Sequence, residues 1–122
     1  MYSEIAYLTG YTAGMDLSQQ KCVPCEGGMP AMSEEGIAKN LPLVPGWSVA
    51  DGKLVRTFTF KDFKEAMVFV NAVASIAEQE GHHPDISIFY NKVDIVLWTH
   101  AVGGLSVNDF ILAAKINNML GN

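Results

Sequence analysis

The stretch "DISIFYNKVDIVLWTHAV", residues 85–102, decides how the rest of the chain is read. Ile86, Ile88 and Tyr90 alternate with Asp85, Ser87 and Phe89, and Val93, Ile95 and Leu97 alternate with Asp94, Val96, Trp98 and His100. A period of two over both runs predicts two antiparallel strands, with a turn at Asn91-Lys92. The preceding stretch, "KDFKEAMVFVNAVASIAEQEG" (61–81), has helical spacing, with an apolar stripe expected through Phe63, Met67, Val70, Ala74 and Ala77 and with Gly81 as the terminating residue. After the hairpin, "GGLSVNDFILAAKINNML" opens a last helix, with Ser106 as N-cap and Asp109 placed for a capping box. Earlier, residues 46–60 read as another hairpin around Asp51-Gly52, with Leu54, Arg56, Phe58 and Phe60 on one face. Residues 32–41 read as a short helix capped by Ser33 and stopped by Pro42 and Pro45. The order helix-strand-strand-helix-strand-strand-helix predicts an α+β domain, a four-stranded antiparallel sheet with three helices on one face. That domain is assigned to residues 31–122, preceded by an irregular lead at 1–30. Val96 and Trp98 give the last strand apolar groups on its second face too, which predicts that subunit association covers that face.

The composition narrows the function classes. The net charge of −5 and the scattered Lys and Arg disfavour direct binding to nucleic acid. The first residues lack a basic start followed by an apolar run, and no stretch reaches the ~20 apolar residues that span a bilayer, so a soluble cytoplasmic protein is expected. The two cysteines, Cys22 and Cys25, form a CxxC in the lead. This pattern is read as an ordinary loop, a metal site completed by another subunit, or a redox pair. Pro24 and the following "EGGMP" argue for a loop.

Two of the three histidines, His82 and His83, sit together at the corner between helix and strand, and the third, His100, ends the hairpin. A turn at Asn91-Lys92 would set His83 opposite His100 within a residue or so, gathering all three imidazoles at one end of the sheet. A histidine on a strand is more often structural than catalytic, but three brought to one corner suggest a site. Three imidazoles can hold a metal, yet adjacent residues in extended backbone point to opposite faces, which hinders joint ligation. General acid–base chemistry is the competing reading, because imidazole gives and takes protons near neutral pH. Glu78 and Asp109 lie at helix ends that flank the histidines, where a carboxylate can fix an imidazole's tautomer. Each carboxylate is otherwise an ordinary cap or solvated helix residue.

The run "EQEGHHPD" (78–85), Tyr90, "TH" (99–100) and "GLSVND" ending at Asp109 resemble the pterin-4a-carbinolamine dehydratases. Glu78, His82, Pro84, Tyr90, His100 and Asp109 keep that family's spacing, and the likeness runs from about Trp47 to the C-terminus. The resemblance implies a four-stranded antiparallel sheet with helices on one side, and dimers or tetramers. It implies removal of water from 4a-hydroxytetrahydropterin to give quinonoid dihydropterin, with no metal or coenzyme, in recycling the pterin used by aromatic amino acid hydroxylases. It implies a catalytic set of His82, His83 and His100. Of these, His82 and His100 are the acid–base residues, and His83, beside Pro84 and Thr99, helps to hold the pterin. Glu78 and Asp109 correspond to supporting carboxylates. Gly81 and Trp98 depart from animal members, which bears on pocket shape. Some animal members also serve as dimerisation cofactors of a transcription factor, so a protein-binding module is the alternative reading. Two further alternatives are a pterin role outside hydroxylase recycling and a zinc protein built on the CxxC.

Overall fold

A computed structural model describes residues 16–24 and 29–121; the first fifteen residues and Cys25 lie outside the described residues. The elements are α1 (Glu34–Asn40), β1 (Ser48–Ala50), β2 (Lys53–Thr59), α2 (Phe63–Glu80), β3 (Asp85–Phe89), β4 (Lys92–Leu97) and α3 (Val107–Met119), with short 3-10 turns at Leu17–Gln19, Leu41–Leu43 and His100–Val102. All strand pairs are antiparallel, in the order β1-β2-β4-β3. This is the α+β architecture expected from the element order.

Local chemistry explains the boundaries. The Ser33 hydroxyl accepts from the Gly36 N–H to start α1, and the Asp62 carboxylate accepts from the Glu65 N–H to start α2. Asp51 and Gly52 both take positive φ, 53° and 73°, which suits the right-handed twist of the β1-β2 hairpin. Leu54 and Phe58 of β2 and Val93, Ile95 and Leu97 of β4 are buried on the face that carries the helices. Arg56 shares that face near its edge, where it donates to Asn117 Oδ1 at 2.6 Å and stacks over Phe58. Burial lowers the Arg56 guanidinium from its ordinary pKa.

One expectation about α2 is corrected. Its buried stripe is Ala66, Phe69, Val73 and Ala77, with Val70 and Ile76 partly covered. Phe63, placed in the stripe from the sequence, is 49% exposed, and Ala74 is exposed as well. Apolar residues surround this helix, so periodicity identified a helix without fixing which side faces inward.

α3 is covered on every side. Each residue from Asn108 to Ala114 is buried, as are Ile116 and Asn117. A helix that is apolar all round needs an outer cover as well as an inner one. The lead segment supplies part of it, since Leu17 joins the core and Cys22 packs against it. Lys115 Nζ donates to Ser18 O at 2.8 Å, and the Cys22 N–H donates to Glu80 Oε1 at 2.9 Å. The Glu80 side chain is only 5% exposed and also faces Lys115 and Lys21, at 3.7 and 3.8 Å.

The Cys22 hydrogen bond, helped by the two lysines, holds the Glu80 carboxyl below its ordinary 4.5, against burial, which pushes it up. A lowered carboxyl contributes stability above its unfolded pKa and loses it as pH falls through the folded value. Glu80→Gln should therefore cost about 1 kcal/mol at pH 7, a difference that shrinks to nothing as the pH drops below the ordinary carboxylate range. Urea titrations of both proteins at neutral and acid pH check this, and an equal deficit at both would show that the charge is not what matters.

Candidate active site

The corner between α2 and β3 is built from a helix cap. Gly81 adopts φ 65° as C-cap of α2, and its N–H donates to Ala77 O. Glycine takes this left-handed conformation without steric penalty. The His82 N–H also reaches Ala77 O, at 3.2 Å. Pro84 then directs the chain into β3.

His82 is bound to the start of α3. Its Nε2–H donates to Asp109 Oδ1 at 2.7 Å, and the two side chains are 12% and 0% exposed. The other carboxylate oxygen, Oδ2, accepts from the Ser106 N–H at 2.9 Å and from Thr99 Oγ1 at 2.8 Å. Asp109 thus completes the capping box predicted for α3 and also fixes an imidazole from another element. A carboxylate only accepts, so neutral His82 carries its proton on Nε2 and leaves Nδ1 as the basic nitrogen. His83 is paired differently. Its Nε2 lies 2.5 Å from Glu78 Oε2, but the side chains are 61% and 77% exposed, where solvent weakens an ion pair.

The register of the hairpin differs from the expected one. Tyr90 and Asn91 make the turn, with Tyr90 at φ 53°, and Lys92 already belongs to β4. Phe89 pairs with Lys92 and Asp85 with Val96, so the ladder, if extended, would set His83 across from Trp98 rather than His100. Turn rules favour Asn at such a position over an aromatic residue; here the Tyr90 ring stacks against Phe63, with centroids 6.5 Å apart. His100 reaches the site by another route. Thr99 forms an isolated bridge with Gly104, and His100–Val102 coil into a 3-10 turn beyond the strand. The His100 ring then lies 3.7 Å, centroid to centroid, from Trp98.

These segments enclose a cleft of about 440 Å³, lined by His82, His83 and His100 together with Pro84, Thr99 and Trp98. That volume lies within the usual range of small-molecule sites. Glu78 and Asp109 are not in the lining; they stand behind His83 and His82. Tyr90, which helped to carry the family resemblance, occupies the far turn of the hairpin, away from the cleft. Val23, Pro24 and Asn108 also line the cleft. Nothing in their local sequence signalled it, because only folding brings residues 23 and 108 together. Among the described residues no group of three His, Cys, Asp or Glu side chains converges as a metal site.

A second groove of about 760 Å³ runs along the start of α2, lined by Phe60, Val68, Phe69 and Met119 among others. It is the larger of the two, yet it contains no histidine, so its size does not make it the catalytic candidate.

The fold and the cleft define an α+β protein that gathers three imidazoles, one of them oriented by a buried carboxylate, in one small-molecule-sized cleft. The sequence profile of the pterin 4 alpha carbinolamine dehydratase family matches residues 30–119, and the chain belongs to that family, one of hydro-lyases. A candidate pterin-4-alpha-carbinolamine dehydratase of Nitrosomonas eutropha is 50% identical over 107 residues, covering 86% of this chain and 94% of its own. Among solved structures, a transcriptional coactivator/pterin dehydratase from Brucella melitensis superposes with a TM-score of 0.70 at 34% identity, covering 73% of this chain and 97% of its own. A pterin dehydratase-like protein identified as a RuBisCO assembly factor in the alpha-carboxysome shares the fold, with a TM-score of 0.52 at 23% identity, over 62% of this chain and 88% of its own. No helix among the described residues is long and apolar enough to cross a membrane.

Proposed function

We propose that the chain dehydrates a 4a-hydroxytetrahydropterin to the quinonoid dihydropterin by histidine acid–base catalysis, within pterin recycling. The observation that carries this reading is the His82–Asp109 pair, set in one cleft with His83 and His100. The reaction breaks the C4a–O bond. One proton must reach the departing hydroxyl, which leaves as water, and one must be taken from a ring nitrogen, so the balance closes without oxidant or reductant. His82 and His100 are the acid–base pair, His83 with Pro84 and Thr99 holds the ring system, and Asp109 and Glu78 support the imidazoles. Positioned acids and bases of this kind contribute about 10²–10⁴-fold, and no metal or coenzyme is assigned.

The test generates fresh 4a-hydroxytetrahydropterin with a phenylalanine hydroxylase and follows its decay by ultraviolet absorbance, with and without the protein. A concentration-dependent acceleration is expected; decay at the uncatalysed rate with folded protein present would end the dehydratase reading. An aromatic amino acid hydroxylase that supplies the substrate, and a cytoplasmic location, belong to this same reading. So does a homodimer or homotetramer, which would cover exposed apolar groups such as Phe89 of β3. Sedimentation equilibrium decides between these and a monomer.

A second reading, a protein-binding module, is favoured by the groove beside Val68, which is 66% exposed on α2. It predicts that Val68→Glu abolishes a partner interaction and leaves dehydration intact.

A further inference from the structure

The lead segment enters the histidine cleft as well as covering α3. Asn108, 3% exposed, brackets one residue of that segment. Its Oδ1 accepts from the Val23 N–H at 2.9 Å, and its Nδ2 donates to Val23 O at 2.6 Å. A side-chain amide that bonds both backbone groups of a residue acts like a neighbouring strand, fixing position and orientation together. The next residue along α3 is Asp109, which holds His82. Adjacent residues on one helical turn therefore set the spacing between Val23 and the best-anchored histidine. The Cys22 N–H bond to Glu80 fixes the segment again one residue earlier.

Val23 as a residue is 55% exposed, although its backbone is held on both sides. It lines the cleft next to Pro24. The family match begins at residue 30, so it assigns nothing to this segment. Under the dehydratase reading the histidines serve the hydroxyl and ring nitrogens of a pterin, and the substituent on its ring is left to the rest of the lining, to which Val23 and Pro24 belong.

We propose that Val23, backed by Pro24, is a specificity-determining wall of the cleft that selects among tetrahydropterins by the bulk of the substituent on ring carbon 6. This inference rests on the dehydratase reading for its substrate class, and the following test separates the two.

Dehydration is measured for wild type, Val23→Ala and Val23→Trp, using 4a-hydroxytetrahydropterins that carry a methyl or a dihydroxypropyl group at carbon 6. Both substitutions lie on an exposed side chain, so the fold is expected to survive, and circular dichroism verifies this. Val23→Trp should raise KM for the dihydroxypropyl substrate by roughly tenfold, and less for the methyl one, with kcat little changed, as expected for lost binding rather than lost chemistry. Val23→Ala should shift the ratio of kcat/KM between the two substrates by about threefold or more. Ratios within about twofold of wild type in both variants would overturn the wall. Calorimetric titration with 7,8-dihydrobiopterin gives a readout that needs no turnover. If wild type binds this pterin without catalysis, the dehydratase reading fails alone, and weaker binding by Val23→Trp still supports the wall. Equal binding by the two proteins, or none by wild type, overturns it.

Discussion

Replacing His100 with alanine is expected to reduce the acceleration of pterin dehydration by about 10²-fold or more, with little change in stability. The side chain is exposed at the rim of the cleft and contributes one ring contact, to Trp98, so its removal opens no cavity in the core. His82→Ala should lose as much activity for a different structural price. Its imidazole is a partner of a fully buried carboxylate, and removing it should also cost about 1–3 kcal/mol. The two variants differ because His100 is exposed, whereas the His82 side chain is 12% exposed and holds Asp109. The coupled hydroxylase assay and urea titrations of both variants check the pair of effects. Activity within about twofold of wild type in His100→Ala would remove that residue from the proton transfers.

Asp109→Asn should also inactivate the protein, through the tautomer of its neighbour. The asparagine carbonyl can keep the acceptor role toward the Ser106 N–H and Thr99 Oγ1. Its NH₂ group then faces His82 Nε2, which must accept and so shifts the ring proton to Nδ1. The nitrogen that served as base becomes a donor, and activity should fall by about 10²-fold or more. Stability should drop by about 1–3 kcal/mol, against about 3–5 kcal/mol for Asp109→Ala, which leaves several donors without an acceptor. Nitrogen chemical shifts of the His82 ring, followed with kinetics, separate tautomer inversion from loss of structure. An Asp109→Asn variant with an inverted tautomer and full activity would show that the proton on Nε2 is not required.

Much of this protein is written locally. Ser33, Asp62 and Ser106 cap their helices because a side-chain oxygen next to an unpaired N–H acts within three residues. Asp51-Gly52 and Gly81 set their turns through their own backbone preferences. The element order, the antiparallel sheet, and the placing of His82 and His83 at the corner after α2 follow from these short-range rules, whereas His100 joins them through the 3-10 turn beyond β4.

Tertiary packing decided what local rules leave degenerate. The face of α2 that turns inward was ambiguous because apolar residues ring the helix, and contact with the sheet and α3 selected Ala66, Phe69, Val73 and Ala77. Stacking of Tyr90 on Phe63 accompanies a turn two residues long where propensity favoured a later one. Asp109 looked like a cap and is one, but only the approach of α2 to α3 made it the partner of His82. The sequence by itself determined the elements, their order and the identity of the histidines, because each depends on neighbours along the chain. The pairing of His82 with Asp109 and of His83 with Glu78, and the presence of Val23 in the cleft, depend on groups tens of residues apart or on side-chain reach, and only burial of α3 from every side brought the distant ones together.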